Sequence, residues 1–163
     1  MRIFEEKPIY RTEEVTYETA SRNGEPFAAL IDRKKMLPNP LVRFCTTELK
    51  IQVMKRFMKE QGHKEWYNVV GLKFWKNSDF DLNLPNHGGK TLAGNCDLCF
   101  LKGMKTTNLL LKEKPDLADW WIEQEEKIAR SARDVLGREV STATFRKDRP
   151  PYIELVDMSK QPE

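Results

Sequence analysis

A stripe of apolar residues at helical spacing runs through residues 47–61. The stripe occupies positions i, i+4, i+5, i+8 and i+9, and its members are Leu49, Val53, Met54, Phe57 and Met58. Most lysines and arginines of the segment fall outside the stripe, so the pattern is that of an amphipathic helix. Thr46 is the predicted N-cap of this helix, and Gly62 is the predicted residue just past its end.

Shorter apolar patterns lie on either side of this helix. Residues 27–36 predict a short helix, which the two prolines of the following LPNP sequence end because proline lacks an amide proton. Residues 66–72 (WYNVVGL) are rich in β-branched and aromatic residues and are too short for a helix, so they predict a buried strand. Residues 14–17 alternate between polar and apolar or aromatic side chains, which predicts another short strand.

The second half of the chain is mostly helical by pattern. Residues 74–95 are irregular and contain several glycines, and helical character returns over residues 99–112. A longer helix starts at Pro115, since proline suits the first turn of a helix, and it ends before Gly137. Residues 152–156 follow two prolines and predict an edge strand.

Together these elements predict one helix-rich α/β domain. A helix joined to a strand by a short polar turn is half of a parallel-sheet unit, and a chain of 163 residues is long enough for one domain with its own core. Residues 1–73 form a partial α/β unit, residues 74–137 a loop and a helical module around a C-x-x-C sequence, and residues 138–163 a tail.

Composition narrows the class of protein and its compartment. Hydrophobic residues make up 39% of the chain and charged residues 33%, which is typical of a globular protein. No apolar run approaches the roughly 18 residues that a membrane span needs, and the acidic residues near the N-terminus do not fit a signal peptide. We therefore expect a cytoplasmic protein, in which clustered cysteines are reduced and serve as ligands more often than as disulfides.

The three cysteines of the chain are the strongest chemical signal. Cys96 and Cys99 form a C-x-x-C pair, whose spacing lets both sulfurs point at one ion from a tight turn. Cys45 lies just before the amphipathic helix, so all three thiols fall near predicted helix N-termini, where the helix dipole stabilises a thiolate. We expect them to form one site that holds either zinc, with His87 as the fourth ligand, or a cubane 4Fe–4S cluster on three cysteines.

Two other interpretations of these cysteines stay open. Free cysteines are often simply buried in the core, so the three thiols could be unrelated. The C-x-x-C pair could also be a redox dithiol, although the βαβ pattern that such pairs usually follow is missing upstream. The nearby HGGKT sequence at residues 87–91 is not a phosphate-binding loop, because Leu84 stands where the first glycine of that motif belongs.

Five sequences of the chain resemble the phage and bacterial branch of the phosphoadenosine phosphosulfate reductase family. They are YETASRNGEPF at residues 17–27, LPNP at 37–40, RFCTTELK at 43–50, GNCDLCFLKG at 94–103 and PDLADWW at 115–121. The resemblance implies the remnant of a parallel-sheet, adenine nucleotide α-hydrolase-like fold. It also implies an iron–sulfur cluster on Cys45, Cys96 and Cys99, with Phe44 where many relatives have a further cysteine.

The chain departs from that family at its chemistry-bearing segments. The S-G-G-K-D-S-like phosphate loop, the arginine- and acid-bearing segment after the strand, and the C-terminal E-C-G-L-H-type segment have no counterpart here. The resemblance together with these departures suggests a non-catalytic binding protein from a phage or mobile element. An inhibitor of a host defence complex, similar in role to anti-CRISPR proteins, is the version we expect, and a homodimer remains open.

Two further functions are compatible with the sequence. The first is an iron–sulfur-dependent sulfonucleotide reductase or sulfur-transfer enzyme, with a second chain supplying the nucleotide loop and with anion contacts from Arg43, Lys50, Lys73 and Lys90. The second is a nucleic-acid-binding module built on the basic side of the helix at 47–61, although the net charge is only +3. Trp75 and Trp120 are candidate partner contacts, because tryptophan is enriched at binding hot spots.

Overall fold

The computed structural model describes residues 13–68, 96–137 and 143–161, and all regular structure in them is helical. The helices are α1 (Glu25–Lys34), α2 (Phe44–Thr46), α3 (Gln52–Glu60), α4 (Met104–Glu113), α5 (Asp119–Leu136) and α6 (Tyr152–Ser159). A π-helical turn, Thr47–Ile51, joins α2 to α3, and a 3₁₀ turn, Pro115–Ala118, leads into α5. We call the continuous segment from α2 to α3 the 44–60 helix.

The predicted α/β fold class is wrong. No strand and no sheet occur in the described ranges, so the helices are not attached to a parallel sheet. Residues 66–68 of the predicted buried strand have no regular structure, and the rest of that strand lies outside the described residues.

The two other predicted strands are also wrong, for local reasons. Residues 14–17 run into a turn in which the Ala20 amide donates to the Thr16 carbonyl over 2.9 Å and the Thr16 amide donates to Thr19 Oγ1 over 2.8 Å. Threonine side chains bond to nearby backbone in this way and compete with sheet formation. Residues 152–156 belong to α6, in which Tyr152, Leu155 and Val156 share one buried face at helical spacing.

The predicted helix at residues 27–36 is confirmed as α1. Gly24 caps it with φ +78°, Pro26 occupies its first turn, and Leu30 and Ile31 are buried. It ends at Lys35, which has φ +53° and whose amide donates to the Ile31 carbonyl over 2.8 Å.

The predicted helix at residues 47–61 is confirmed, but it begins earlier than predicted. Thr46 has helical angles and is not the N-cap, because the helix already starts at Phe44 with Arg43 as its cap. At the other end, Gly62 is confirmed as the residue just past the end of the helix. Its φ is +81°, its amide donates to the Lys59 carbonyl, and the next amide bonds to the carbonyl of Met58, which is a Schellman ending.

Two helices of the second half, α4 and α5, match their predictions apart from one of their ends. The predicted helix at residues 99–112 begins only at Met104, because Cys96 to Lys102 form turns. The 3₁₀ turn and α5 fill the predicted span from Pro115 to Leu136, and Gly137 ends it with φ +60°. Among the described residues, no helix is both long enough and apolar enough to cross a membrane.

The core lies between α1, α4, α5, α6 and the cysteine-bearing turn. Trp121 of α5 is at its centre, with ring centroids 4.9 Å from Phe145 and 5.2 Å from Tyr152. Leu98 and Leu111 are also fully buried against this aromatic group. The turn that carries Cys96 and Cys99 is therefore part of the core and not a surface loop.

Candidate thiolate site

Two successive tight turns present Cys96 and Cys99. The Cys99 amide donates to the Cys96 carbonyl over 3.4 Å, and the Lys102 amide donates to the Cys99 carbonyl over 2.8 Å. Leu98 and Phe100 alternate with the cysteines along the turn and are 0% and 2% exposed, so they fix its orientation against the core. Both cysteines remain half-buried.

The C-terminal segment holds this turn in place from the other side. The Tyr152 hydroxyl donates to the carbonyl of Leu98, and the Arg149 guanidinium donates to the Lys102 carbonyl over 2.6 Å. Tyr152 is itself fixed because its amide donates to the buried carboxylate of Glu125 over 2.8 Å. Arg149 and Tyr152 therefore support the seven-residue turn directly, and Glu125 supports it by holding Tyr152.

The thiols of Cys96 and Cys99 are hydrogen-bonded to each other. The hydrogen bond that Cys96 donates lowers the pKa of Cys99 below its ordinary value of 9.0, and the Leu101 amide and the charges of Lys102 and Lys50 add to this effect. The same hydrogen bond, together with burial and the charge on Cys99, raises the pKa of Cys96. The interaction therefore makes Cys99 the more acidic thiol of the pair and Cys96 the less acidic one.

Cys45 lies near this pair. It is in the first turn of the 44–60 helix, is half-buried and packs against the same core. Interaction with Cys45 is the smallest contribution to the raised pKa of Cys96, so the two side chains lie within electrostatic range of each other. Within residues 13–68, 96–137 and 143–161, however, no three histidine, cysteine or acidic side chains form a closed metal-binding group. The structure thus pairs the Cys96 and Cys99 thiols electrostatically and places Cys45 within electrostatic range of Cys96, without closing a three-ligand group in the described residues.

The other predicted site residues have different outcomes. Lys50 is a neighbour of the thiols, because its charge lowers the pKa of both Cys96 and Cys99. Arg43 is exposed at the start of the 44–60 helix. The remaining members of the predicted set lie outside the described residues, and they are His87, Lys73, Lys90 and Trp75.

Trp120, a predicted partner contact, is half-buried in an aromatic group. Its ring centroid is 5.0 Å from that of Phe27 and 5.2 Å from that of Trp121. A Cβ atom placed on Gly24 would lie 2.8 Å from its indole nitrogen, so the glycine makes room for the ring. One part of Trp120 packs in the fold and another part lines an open cleft.

Sequence reasoning missed Glu125, Arg149 and Tyr152, which support the cysteine turn. The apolar positions of residues 152–156 have helical spacing, and the proline before them is typical of a helix start, so a helix could have been predicted there. Nothing in the sequence pattern pairs Glu125 with that helix start, because the pairing spans 27 residues.

The donor set suits two kinds of chemistry. Two sulfurs in contact, one accepting a backbone N–H and both near lysines, favour the thiolate form that thiophilic metal ions require. The same arrangement favours thiol–disulfide exchange, in which the more acidic thiol is the nucleophile.

The chain matches no family model, no curated protein and no solved structure. The resemblance to the phosphoadenosine phosphosulfate reductase family therefore stays a prediction, and the geometry of the cysteines supports the functional argument on its own.

Proposed function

We propose that this protein is a binding protein whose fold is clamped by a metal ion or iron–sulfur cluster on Cys45, Cys96 and Cys99. The observation that carries the proposal is that the Cys96 and Cys99 thiols shift each other's pKa from one turn, whose flanking residues Leu98 and Phe100 are buried. A thiol pair held this rigidly offers two ligands to an ion without reorganising the core.

Electrostatics around the pair favour metal binding. Cysteine binds metal ions as the thiolate, and the positive charges of Lys50 and Lys102 lower the pKa of Cys99. A metal ion would take the place of the thiol proton of Cys96 and would remove the cost of two adjacent negative charges.

Cys45 would connect this centre to a helix that, among the described residues, packs on the core only at its first turns. The 44–60 helix joins the core at its first turns, where Phe44 is buried and Glu48 pairs with Lys34 over 3.2 Å. Further along, Met54 and Phe57 are 47% and 50% exposed. A ligand bond from Cys45 would therefore fasten the helix at the only end that is packed in the described part of the chain.

The exposed face of the 44–60 helix supports a binding role. Large apolar side chains stand next to basic residues on it, an arrangement that serves partner recognition. The partner class suggested by the family resemblance is a host defence complex, with this protein as its inhibitor. Failure of the purified protein to form a stable complex with any such system would count against this role.

Anaerobic purification followed by metal analysis tests the clamp. We expect stoichiometric iron with brown absorbance, or stoichiometric zinc, and loss of the metal in Cys45→Ser, Cys96→Ser and Cys99→Ser. His87→Ala identifies the fourth zinc ligand, and His63→Ala is its matched control, since the chain has two histidines. Protein that contains no metal and takes up neither zinc nor iron when these are supplied would overturn the clamp.

A dithiol–disulfide couple is a second function that the hydrogen-bonded thiol pair favours. The Cys99 thiolate would attack a partner disulfide and release one partner thiolate, and Cys96 would then displace the second, leaving a Cys96–Cys99 disulfide. The two electrons pass from this chain to the partner, which becomes a dithiol. A mass decrease of two hydrogens on exposure to oxidised glutathione, lost in Cys96→Ser, would support this function.

A further inference from the structure

An open cleft of about 750 Å³ lies beside the cysteine turn, and it shares one lining residue, Cys96, with the proposed metal site. Its walls come from residues 21–27, from the start of α5 and from Cys96 and Asp97. Clefts of a few hundred to about a thousand Å³ are the size of small-molecule sites, so this cleft has room for a large side chain. The three walls are separate in sequence but are all packed on one aromatic group, so the cleft is preformed.

Aromatic rings form the floor of the cleft. Trp120, Phe27 and Trp121 line it, and Trp120 is half-buried, with part of its indole facing the opening. Its position is fixed by the tilted contact with Phe27 and by the absence of a side chain at Gly24. A fixed aromatic face attracts a cation through the negative charge density of its π system.

The charges around the cleft are strongly unequal. Four carboxylates line it, from Asp97, Asp116, Asp119 and Glu123, against a single guanidinium. That guanidinium, of Arg22, is engaged elsewhere, because it stacks 4.3 Å from the centroid of the Tyr17 ring and donates to the Tyr17 carbonyl. The cleft therefore has a negative potential that its own residues do not neutralise.

None of the four carboxylates has a side-chain hydrogen bond or ion pair within the described residues. Asp116 and Asp119 stabilise the start of the 3₁₀ turn and of α5 through the helix dipole. Asp97 and Glu123 have no such role, since one lies in the cysteine turn and the other is a full turn into α5. Helix stability thus accounts for only half of the negative charge.

We propose that this cleft binds an arginine side chain of a partner protein, stacked on Trp120 and paired with Asp116 and Asp119. A guanidinium is planar, so it can stack on the indole and donate in its own plane to carboxylates at the same time, which an ammonium group cannot do. The carboxylates are exposed at an open cleft, so a partner's side chain can reach them while its backbone stays outside. This inference rests on the proposed binding role and specifies the chemistry of the partner.

Titration calorimetry and tryptophan fluorescence with short peptides test the inference. The probes are three blocked tripeptides, Gly-Arg-Gly, Gly-Lys-Gly and Gly-citrulline-Gly, titrated into the full-length protein. We expect the arginine peptide to bind, binding to weaken as salt is raised, and the neutral citrulline peptide to show no binding. In the Asp116→Asn, Asp119→Asn double variant the affinity should fall about tenfold, the loss of roughly 1.4 kcal/mol of charge pairing.

Matched variants separate the cleft from general charge effects. Glu60→Gln with Glu154→Gln removes two exposed carboxylates outside the cleft and should leave the affinity unchanged. Trp120→Phe keeps an aromatic ring and should weaken binding about threefold, the loss of part of a cation–π contact. Circular dichroism confirms that each variant is folded.

Two outcomes would overturn the inference. Equal binding of the arginine and citrulline peptides would show that charge is not recognised, and equal binding of the lysine peptide would remove the guanidinium assignment. Because metal content is measured separately, loss of peptide binding in a protein that still holds its metal leaves the proposed clamp intact.

Discussion

The Glu125 carboxylate is buried in the core, where it accepts hydrogen bonds from two backbone amides. The Phe145 amide donates over 3.2 Å and the Tyr152 amide over 2.8 Å. Burial raises the pKa of Glu125 to about 7, and the two amides oppose this effect without cancelling it. The native protein therefore keeps a proton on Glu125 up to neutral pH, whereas the unfolded chain loses it near pH 4.5.

This raised pKa predicts that stability falls as the pH rises toward 8. The contribution of Glu125 is fully present below the unfolded pKa of 4.5 and is lost as the pH passes through about 7. In Glu125→Gln this dependence should disappear, a difference of roughly 2–3 kcal/mol between pH 5 and pH 8 relative to the wild type. Urea unfolding at four pH values measures it.

Glu126, the exposed neighbour of Glu125, provides the control for the predicted loss of pH dependence. Glu126→Gln should keep the wild-type pH dependence, because that side chain is on the exposed side of α5. A Glu125→Gln curve parallel to that of the wild type would mean that Glu125 is ionised in the native protein at all these pH values.

Tyr152→Phe should cost about 1–2 kcal/mol of unfolding free energy, because it leaves a buried carbonyl without its donor. The Tyr152 hydroxyl donates to the carbonyl of Leu98, and neither residue is more than 5% exposed. Tyr67→Phe is the matched control, since Tyr67 is 98% exposed and its hydroxyl is hydrated. Denaturant titrations at one pH compare the two variants. Equal unfolding midpoints would mean that the hydrogen bond from Tyr152 to Leu98 does not stabilise the cysteine turn.

Two glycines at helix ends have similar backbone angles and different surroundings. Gly24 has φ +78° and faces Trp120, whereas Gly62 has φ +81° and no atom lies within 4 Å of the point where an added Cβ would stand. Gly62→Ala should therefore cost about 1 kcal/mol for backbone strain alone. Gly24→Ala should cost roughly 2–3 kcal/mol, because Trp120 must also move. Thermal unfolding measures the loss of stability in both variants. Equal losses would mean that the Trp120 ring can move aside without an energetic penalty.

Helices were predictable wherever an apolar stripe coincided with a proline or glycine at the end. This combination holds for residues 47–61, where Gly62 ends the helix, and for residues 115–136, where Pro115 starts it and Gly137 ends it. The same combination is present at residues 152–156, where Pro151 precedes the helical spacing of Tyr152, Leu155 and Val156, but the β-branched and aromatic residues of this segment predicted a strand instead. The cost of starting a helix there is offset by Glu125, which accepts its first amide.

The candidate site was predictable in part for a related reason. The contact between Cys96 and Cys99 follows from a local turn, so the two-residue spacing was sufficient to predict it. The approach of Cys45 depends on how the 44–60 helix packs, which local pattern does not determine. The supports from Arg149 and Tyr152 span 47 and 54 residues, and long-range pairs of this kind leave no periodic signal.

The described part of the molecule consists of a well-packed region and one helix that extends from it. The packed region contains α1, α4, α5, α6 and the cysteine turn around Trp121. The 44–60 helix meets it near Phe44 and Cys45, while its apolar stripe is largely exposed beyond Ile51. A bond at Cys45 would act at the junction of these two parts and would limit the motion of the helix as a whole.

Metal loading is therefore expected to protect the 44–60 helix more than the core. Hydrogen exchange measured by mass spectrometry should show slower exchange of residues 44–60 in the loaded protein, while peptides from α5, already buried, change little. Cys45→Ser is expected to lose the metal, so adding metal should leave the exchange of its 44–60 helix unchanged. Slower exchange of residues 44–60 in Cys45→Ser when metal is added would show that the ion binds and acts without Cys45, and Cys45 would then be a half-buried thiol with no part in the clamp.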